Sequence, residues 1–172
     1  MTKINGVEDT AFTVQYDFVM PKRFNLVYTD KEGNEKLSFV VHRSSIGAIE
    51  RIAAFLLEHF DGNLPLWLAP TQMAVLPVSE KVMEYATKIE AELKVKGIRV
   101  ELNTDAESLG KKIRNAEAMK IPYMLIVGER EVAENKVSVR AHGQKDLGTM
   151  ELSALIEKVK NEIETKALPE GY

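Results

Sequence analysis

The first third of the chain combines strand-like alternation with one stretch of helical spacing. Residues 11–19 (AFTVQYDFV) alternate and are rich in β-forming types, which predicts a strand. Residues 24–42 predict a hairpin that turns at Gly33-Asn34, because both residue types tolerate a positive φ. A helix should follow, with Ser44 or Ser45 as its N-cap and its apolar residues on one face. That face comprises Ile49, Ile52, Ala53, Leu56, Leu57 and Phe60.

A proline-bracketed stretch, LPLWLAP at 64–70, separates this part from a second pattern. The triplet Asp61-Gly62-Asn63 stops the helix that precedes it. We therefore predict two domains, one covering 1–63 and the other covering 64–172.

The second domain alternates predicted strands with predicted helices, which indicates a mostly parallel sheet with right-handed crossovers. The run IPYMLIVG at 121–128 is typical of a central strand that is covered on both faces. Segment 130–141 predicts a hairpin around Glu134-Asn135. Further strands are predicted at 73–79 and 98–103, and helices are predicted from Ser79, over 107–120 and over 148–166.

The composition limits the classes of protein to consider. The 172 residues are 45% apolar and 28% charged, with no cysteine, so disulfides and thiolate metal sites are excluded. We find no secretory signal and no apolar stretch near 18 residues, and we expect a cytoplasmic protein without membrane contact. The net charge of −3 argues against binding polyanions through the whole surface.

One stretch of this acidic chain is basic. Residues 106–145 contain eight Lys or Arg and five Asp or Glu, a net charge of +3. This excess indicates contact with phosphate or RNA, although a solvated charged face explains it as well. Tyr123 could stack on a base or pack in the sheet. The residues grouped around predicted helix starts and strand ends are Lys111, Lys112, Arg114, Lys120, Arg140 and Lys145.

Two residues of the first domain could serve a ligand site. His42 lies near a predicted strand end, where a base or metal ligand could point into a cleft, although a lone histidine is usually structural. Arg51 on the following helix is either solvated or paired with a nearby glutamate, or it faces a triphosphate.

Several segments together resemble a known family. TVQYDFVMPKRFNLVY and FVVHRSSIGAIERIAAFLLEHF are similar to the end of the catalytic domain of threonyl-tRNA synthetases, including class II motif 3. LPLWLAPTQMAVLPVS, LGKKIR, IPYMLIVGEREV, KVSVR and KDLGTM are similar to the anticodon-binding domain of the same family. The resemblance implies an α/β chain: a partial antiparallel class II synthetase sheet with the motif 3 helix, then a mixed, mostly parallel five-stranded anticodon-binding domain.

The resemblance also implies roles for three residues of the first domain. His42 matches a zinc ligand that recognises threonine, and a neutral imidazole suits Zn²⁺. Arg51 matches the motif 3 arginine, which binds ATP and stabilises its phosphates during adenylate formation. Gln15 matches a catalytic-site glutamine that faces the aminoacyl adenylate.

Other positions depart from the family pattern. Ala48 replaces the usual serine beside the adenylate. The family's motifs 1 and 2, a cysteine and a second histidine that bind zinc have no counterpart in this sequence. We therefore expect this chain alone to be inactive as a threonine–tRNA ligase and not to bind zinc tightly, whereas the parent enzyme uses both ATP and zinc.

In the second domain the resemblance implies anticodon binding by Glu131, Arg140 and Lys120. Lys120 replaces a common arginine, which keeps the charge but loses the planar guanidinium, and Ala106 replaces an asparagine. Single-stranded anticodon bases can be recognised by a few polar side chains on a small sheet.

The resemblance implies threonine tRNA as the partner, not DNA, with threonine and ATP as substrates of a homodimeric parent. A non-catalytic RNA-binding paralogue derived from the synthetase is an alternative, favoured by Ala48 and Ala106. A small-nucleotide-binding domain is a third possibility that rests on the α/β pattern only.

Overall fold

The computed structural model describes residues 2–4, 6–10, 12–44, 47–143 and 145–169. The chain divides into two compact units, Met1–His59 (unit 1) and Phe60–Tyr172 (unit 2). The division falls four residues before the predicted domain boundary between 63 and 64.

Unit 1 consists, over its described residues, of short antiparallel strand pairs and two helices. The predicted hairpin is confirmed: its turn includes Gly33 at φ +87°, and the Asp30 carboxylate accepts the backbone N–H groups of Glu32 and Asn34 at 2.9 Å. The paired strands are β1 Thr2–Ile4 with β2 Val7–Asp9, β3 Thr13–Asp17 with β6 Val40–Ser44, and β4 Val27–Thr29 with β5 Glu35–Leu37; the helices are α1 Met20–Arg23 and α2 Ile49–His59.

The predicted start of α2 needs a correction. Ser44 is the last residue of β6 and does not cap the helix, while Ser45 lies outside the described residues. No residue of α2 itself is buried within the described structure, and Ile49 remains 78% exposed, whereas Phe60, which follows the helix, is 5% exposed.

Unit 2 is built on a five-stranded sheet in the order β11-β10-β9-β7-β8 over the described residues. β7 is parallel to β8 and β9, whereas β10 is antiparallel to β9 and β11, so four strands share one direction. The mixed, mostly parallel α/β fold is therefore confirmed. The elements are β7 Met73–Pro77, a 3₁₀ turn Glu80–Val82, α3 Met83–Val95, β8 Val100–Leu102, α4 Leu109–Ala118, β9 Tyr123–Val127, α5 Glu129–Glu134, β10 Val137–Ala141, β11 Lys145–Met150 and α6 Leu152–Glu164.

The sheet of unit 2 is covered on both faces. Every residue of β7 is buried, as its continuous apolar run predicts. The 3₁₀ turn and helices α3 and α6 cover one face, through Val82, Ala86, Ile89, Leu93, Leu155, Ile156 and Val159. Helix α4 covers part of the other face, where Ala116 and Ile121 pack against Ala74, Leu76 and Met124. Along β10, Val137 and Val139 are buried, and Ser138 and Arg140 alternate with them on the α4 face of the sheet.

Two predictions about unit 2 are wrong. Segment 129–134 forms helix α5, and not one arm of a hairpin, because the Glu131 carboxylate accepts the free N–H of Gly128 at 2.9 Å and so caps the helix. Residues 145–150 form strand β11, and α6 starts only at Leu152, because pairing with β10 outweighs the local helical pattern.

Candidate nucleic-acid interface

The three predicted anticodon-binding residues lie at opposite ends of β9. Lys120 follows α4 directly before β9, and Arg140 on β10 pairs with Met124 at the beginning of β9. Glu131 lies in α5, beyond the last residue of β9. The structure therefore places Lys120 and Arg140 at the end of the sheet where β9 begins. It places Glu131 at the opposite end, beyond the last residue of β9.

Arg140 is positioned by an irregularity in the sheet. The register of β10 against β11 shifts between Val139 and Arg140, so Leu147 is an extra residue on β11. Such a bulge bends the strand and redirects neighbouring side chains. Since Val139 points into the larger core, the alternation of the strand places Arg140 on the opposite face, the one that α4 covers only in part.

Lys120 adopts the left-handed conformation, with φ +55°, where the chain leaves α4. Its backbone N–H donates to the carbonyl of Glu117 at 3.0 Å, which ends the helix. Its ammonium lies 3.6 Å from the exposed carboxylate of Asp61, a long and hydrated ion pair. The ammonium can exchange this partner for a phosphate at little cost.

Glu117 fastens the turn between β10 and β11 to α4. Its Oε2 accepts the N–H of Gly143 at 3.1 Å and lies 2.9 Å from Nδ1 of His142. The carboxylate therefore links the helix that ends at Lys120 to the strand that carries Arg140. Sequence reasoning missed Glu117, because an acidic residue in a basic segment carries no signal for a contact 26 positions away.

At the end of the sheet where β9 finishes, one carboxylate oxygen of Glu131 is already hydrogen-bonded within its own helix. The bond between its Oε2 and the N–H of Gly128 leaves Oε1 as the acceptor for a ligand. A side chain at position 128 would displace this carboxylate, since a Cβ built on Gly128 would lie 2.8 Å from Glu131 Oε2. Glycine at 128 therefore determines where Glu131 points.

Two other residues of the basic segment do not face a ligand. Lys112 is only 4% exposed, and its ammonium donates to the carbonyl of Pro77 at 3.1 Å. Tyr123 is buried in the sheet and donates its hydroxyl to Glu162 at 2.9 Å, so it packs and does not offer a stacking surface. The phosphate contact predicted from Lys112 is therefore wrong.

In unit 1, Gln15 and His42 are direct partners across β3 and β6. His42 Nε2 lies 3.0 Å from Asp17 Oδ2, and both residues line an open cavity of about 360 Å³ together with Gln15. The backbone N–H of Met20 and the His42 ring lower the pKa of Asp17. The site is thus polar and kept anionic.

Arg51 does not join this pair: its Nη1 donates to the carbonyl of Thr10 at 2.8 Å. The described residues contain no group of three His, Asp or Glu side chains that could hold a metal ion. His42 and Asp17 supply two donors, which do not make a tetrahedral zinc site on their own. Among the described helices, none is long and apolar enough to cross a membrane.

The family follows from a comparison with known proteins. A family model described as "Anticodon binding domain" matches residues 72–162, which run from the start of β7 into the last turn of α6. This chain belongs to that family. The anticodon-binding fold assigned to unit 2 from the sequence is therefore confirmed.

Curated relatives extend the similarity into unit 1. The threonine–tRNA ligase of Clostridium botulinum (strain Eklund 17B / Type B) is 47% identical over 163 residues, covering 95% of this chain and 25% of that protein. That of Caldanaerobacter subterraneus subsp. tengcongensis is 51% identical over 156 residues, covering 91% and 24%. The resemblance to threonyl-tRNA synthetases is confirmed, and the chain spans about a quarter of the length of these relatives.

Solved structures agree with this assignment. The RNA binding domain of threonyl-tRNA synthetase from Cryptosporidium parvum Iowa II superposes with a TM-score of 0.75 at 37% identity, covering 94% of this chain and 40% of that chain. Prolyl-tRNA synthetase from Cryptosporidium parvum, complexed with L-proline and AMP, gives a TM-score of 0.72 at 23% identity, covering 90% and 34%. The second likeness concerns the fold alone.

Proposed function

We propose that unit 2 binds the anticodon loop of threonine tRNA and that the chain is the C-terminal part of a threonine–tRNA ligase. The observation that carries this proposal is the family match over 72–162 combined with polar residues at both ends of β9. The paralogue alternative is less well supported, since identity to the ligases extends over both units.

The separation of the candidate residues suits an extended RNA triplet. β9 has five residues, which corresponds to roughly 16 Å at about 3.3 Å per residue. Lys120 and Arg140 lie at one end of β9, and Glu131 lies at the other. They therefore contact different nucleotides of a single-stranded loop, and not one base together. Unstacked loop bases expose their edges for such contacts.

Each residue has a role that follows from its chemistry. The Arg140 guanidinium offers a planar pair of donors to the acceptor edge of a base, and guanine suits it best. The free carboxylate oxygen of Glu131 accepts an amino group of a base. Lys120 is a point charge, so it contributes phosphate attraction and no base discrimination.

We further propose that unit 1 contributes to the threonine and ATP site of the complete ligase. Gln15 and His42 would face the aminoacyl adenylate and threonine, and Arg51 would bind ATP once it exchanges the Thr10 carbonyl for phosphate. Zinc would bind His42 only with ligands from outside the described residues. A polypeptide of these 172 residues should therefore neither form threonyl-tRNA nor retain stoichiometric zinc. The cytoplasmic location and the homodimer stay predictions for the parent enzyme.

Binding of an anticodon stem-loop tests the main proposal. We expect the chain to prefer a threonine stem-loop over one with a swapped anticodon at moderate salt. Arg140→Ala should weaken the threonine complex by about 5- to 150-fold and should remove most of the preference. Glu131→Gln keeps an acceptor for Gly128 and should reduce the preference without unfolding α5.

Arg130→Ala is the matched control for Arg140→Ala. Arg130 carries the same charge on exposed α5, where it pairs with Glu134 at 3.0 Å. Equal losses for the two arginine variants, or no preference between anticodons in the wild-type chain, would contradict the proposal.

A further inference from the structure

A cleft of about 480 Å³ opens in unit 2 beside the beginning of β9. It lies on the sheet face covered by α6, and its walls come from the segment before β7, the β10–β11 turn, α6 and the residues after α6. Much of its lining is apolar and includes Leu64, Leu66, Ala141, Leu147 and Leu168. Its volume falls within the range of about 300–1,000 Å³ that small-molecule sites have.

Charged groups surround this apolar lining. Lys145 enters from β11 and Lys158 from α6, and the Lys158 ammonium lies 5.6 Å from the centre of the Tyr123 ring. Glu162 also lines the cleft, but its carboxylate accepts the Tyr123 hydroxyl at 2.9 Å. The rim is therefore cationic, while the acidic group is already engaged by the hydroxyl.

His142 adds a polar group to the lining. Its Nδ1 lies 2.9 Å from the Glu117 carboxylate, an ion-pair distance without hydrogen-bond geometry. An imidazole nitrogen can donate or accept a hydrogen bond, depending on the tautomer. A ligand with a polar edge beside a planar apolar face therefore matches this lining.

We propose that this cleft binds a single nucleotide, with its base against the apolar lining and its phosphate toward Lys158. A base has flat apolar faces and a polar edge that match the lining and His142, and a phosphate matches the Lys158 ammonium. Arg140 and the cleft lie near the same end of β9 but on opposite faces of the sheet. We infer an RNA loop as the source of the nucleotide, because the same unit carries the proposed anticodon residues.

The assignment of RNA as the source rests on the proposed function; the nucleotide chemistry does not. Lys158→Gln and Lys160→Gln make a matched pair for the test, since both lysines are exposed on α6 and only Lys158 lines the cleft. Stem-loop affinity is measured between 0.05 and 0.2 M salt, a range in which phosphate contacts are resolved.

Lys158→Gln should lower the slope of log affinity against log salt by about 0.7, equivalent to about fivefold weaker binding at 0.1 M salt. Lys160→Gln should leave the slope unchanged. Equal effects of both variants would overturn the proposal, because they would show a diffuse field and no phosphate site. Wild-type binding of the stem-loop with no effect of Lys158→Gln would overturn RNA as the source of the nucleotide, while leaving the proposed anticodon function intact.

A second arm distinguishes the source of the nucleotide. AMP, GMP, CMP and UMP are titrated singly into the isotopically labelled chain, and the NMR shifts of His142 and Leu147 are followed. Shifts that Lys158→Gln abolishes, without any effect on the stem-loop, would assign the cleft to a free nucleotide. Stem-loops with one abasic position each should identify a single loop nucleotide whose loss weakens binding roughly 5- to 150-fold. Absence of an effect in both arms contradicts nucleotide binding altogether.

Discussion

Units 1 and 2 bury similar apolar patterns to very different extents. All 24 buried hydrophobic residues of the described chain lie in unit 2, from Phe60 to Val159. Of the 20 large hydrophobic residues that are exposed, 15 lie in unit 1. Among them, Tyr16 and Phe39 stack at 5.5 Å on one open face of the β3–β6 pair, beside Val14, Phe18 and Val41.

This difference shows that alternation of apolar and polar residues predicts a strand but does not predict whether another element buries its apolar face. Strand β7 has α3, α6 and α4 on its two faces, whereas the β3–β6 pair has apolar residues that no described element buries. Burial stabilises by about 25 cal/mol per Å² of apolar surface, so nearly all of this contribution comes from unit 2. Unit 2 should fold by itself, and unit 1 should depend on additional surface.

The largest expected effect is obtained when the units are separated. A polypeptide of residues 60–172 should unfold in one cooperative transition with most of the stability of the whole chain, whereas residues 1–59 should show none. Thermal and urea denaturation followed by circular dichroism measure this. A cooperative transition in the isolated residues 1–59 would contradict the contrast between the units.

A pair of substitutions on α3 tests the same contrast within unit 2. Leu93 is 0% exposed and Val95 is 84% exposed, two residues further along the same helix. Leu93→Ala should lower the free energy of unfolding by about 2–5 kcal/mol, because it removes contacts and leaves a cavity. Val95→Ala should change it by less than about 0.5 kcal/mol.

Phe39→Ala extends the comparison into unit 1. This residue is larger than Leu93 but 57% exposed, so its loss should affect the stability of the chain less than Leu93→Ala does. If urea denaturation gives a larger effect for Phe39→Ala than for Leu93→Ala, the open face of unit 1 is covered in solution.

A smaller effect is expected at the contact that fastens the β10–β11 turn. Glu117→Ala removes the acceptor for Gly143 and the partner of His142, and it should lower the free energy of unfolding of unit 2 by about 1–3 kcal/mol. It should also weaken the anticodon preference, because the turn then no longer holds Arg140 in place. Denaturation and stem-loop binding on the same variant measure both.

Two further variants separate geometry from charge at this position. Glu117→Gln keeps an oxygen acceptor for Gly143 and should recover much of the anticodon preference. Glu129→Ala removes a carboxylate from an exposed ion pair with Lys81 and should affect neither quantity by more than about 1 kcal/mol. If Glu117→Gln behaves like Glu117→Ala, the negative charge matters and the hydrogen bond to the turn does not.

The sequence predicts those elements of unit 2 whose periodicity is complete. The apolar run of β9 and the stripe from Val82 to Leu93 are sufficient because each spans a full strand or several helical turns. Helix α5 escapes such reasoning, since it has six residues and its cap comes from Glu131 folding back onto Gly128. Strand β11 escapes it as well, because Leu147 at the bulge and Gly148 interrupt its alternation.

The candidate site is predicted only as far as the resemblance reaches. Similarity identifies Lys120, Arg140 and Glu131, but it does not show that they lie at two different ends of β9. Only the register of the strands shows this. The burial of Lys112 could not be foreseen, because its acceptor, the carbonyl of Pro77, is brought near only by the packing of α4 on the sheet. Contacts made across the fold leave no periodic trace in the chain.

The smallest expected effect concerns an acidic residue of unit 1. The pKa of Asp17 is lowered, first by the N–H of Met20 and then by the His42 ring, so its carboxylate favours the folded turn between β3 and α1. A lowered pKa contributes stability that is present above the ordinary value of 3.8 and is lost as the pH falls through the folded pKa. Carboxyl NMR should therefore show Asp17 titrating below 3.8, and His42→Ala should raise its pKa only in part, because the Met20 contact remains. If Asp17 titrates at its ordinary pKa, the β3–α1 turn is not formed in solution, and the contrast between the two units is greater than the static structure shows.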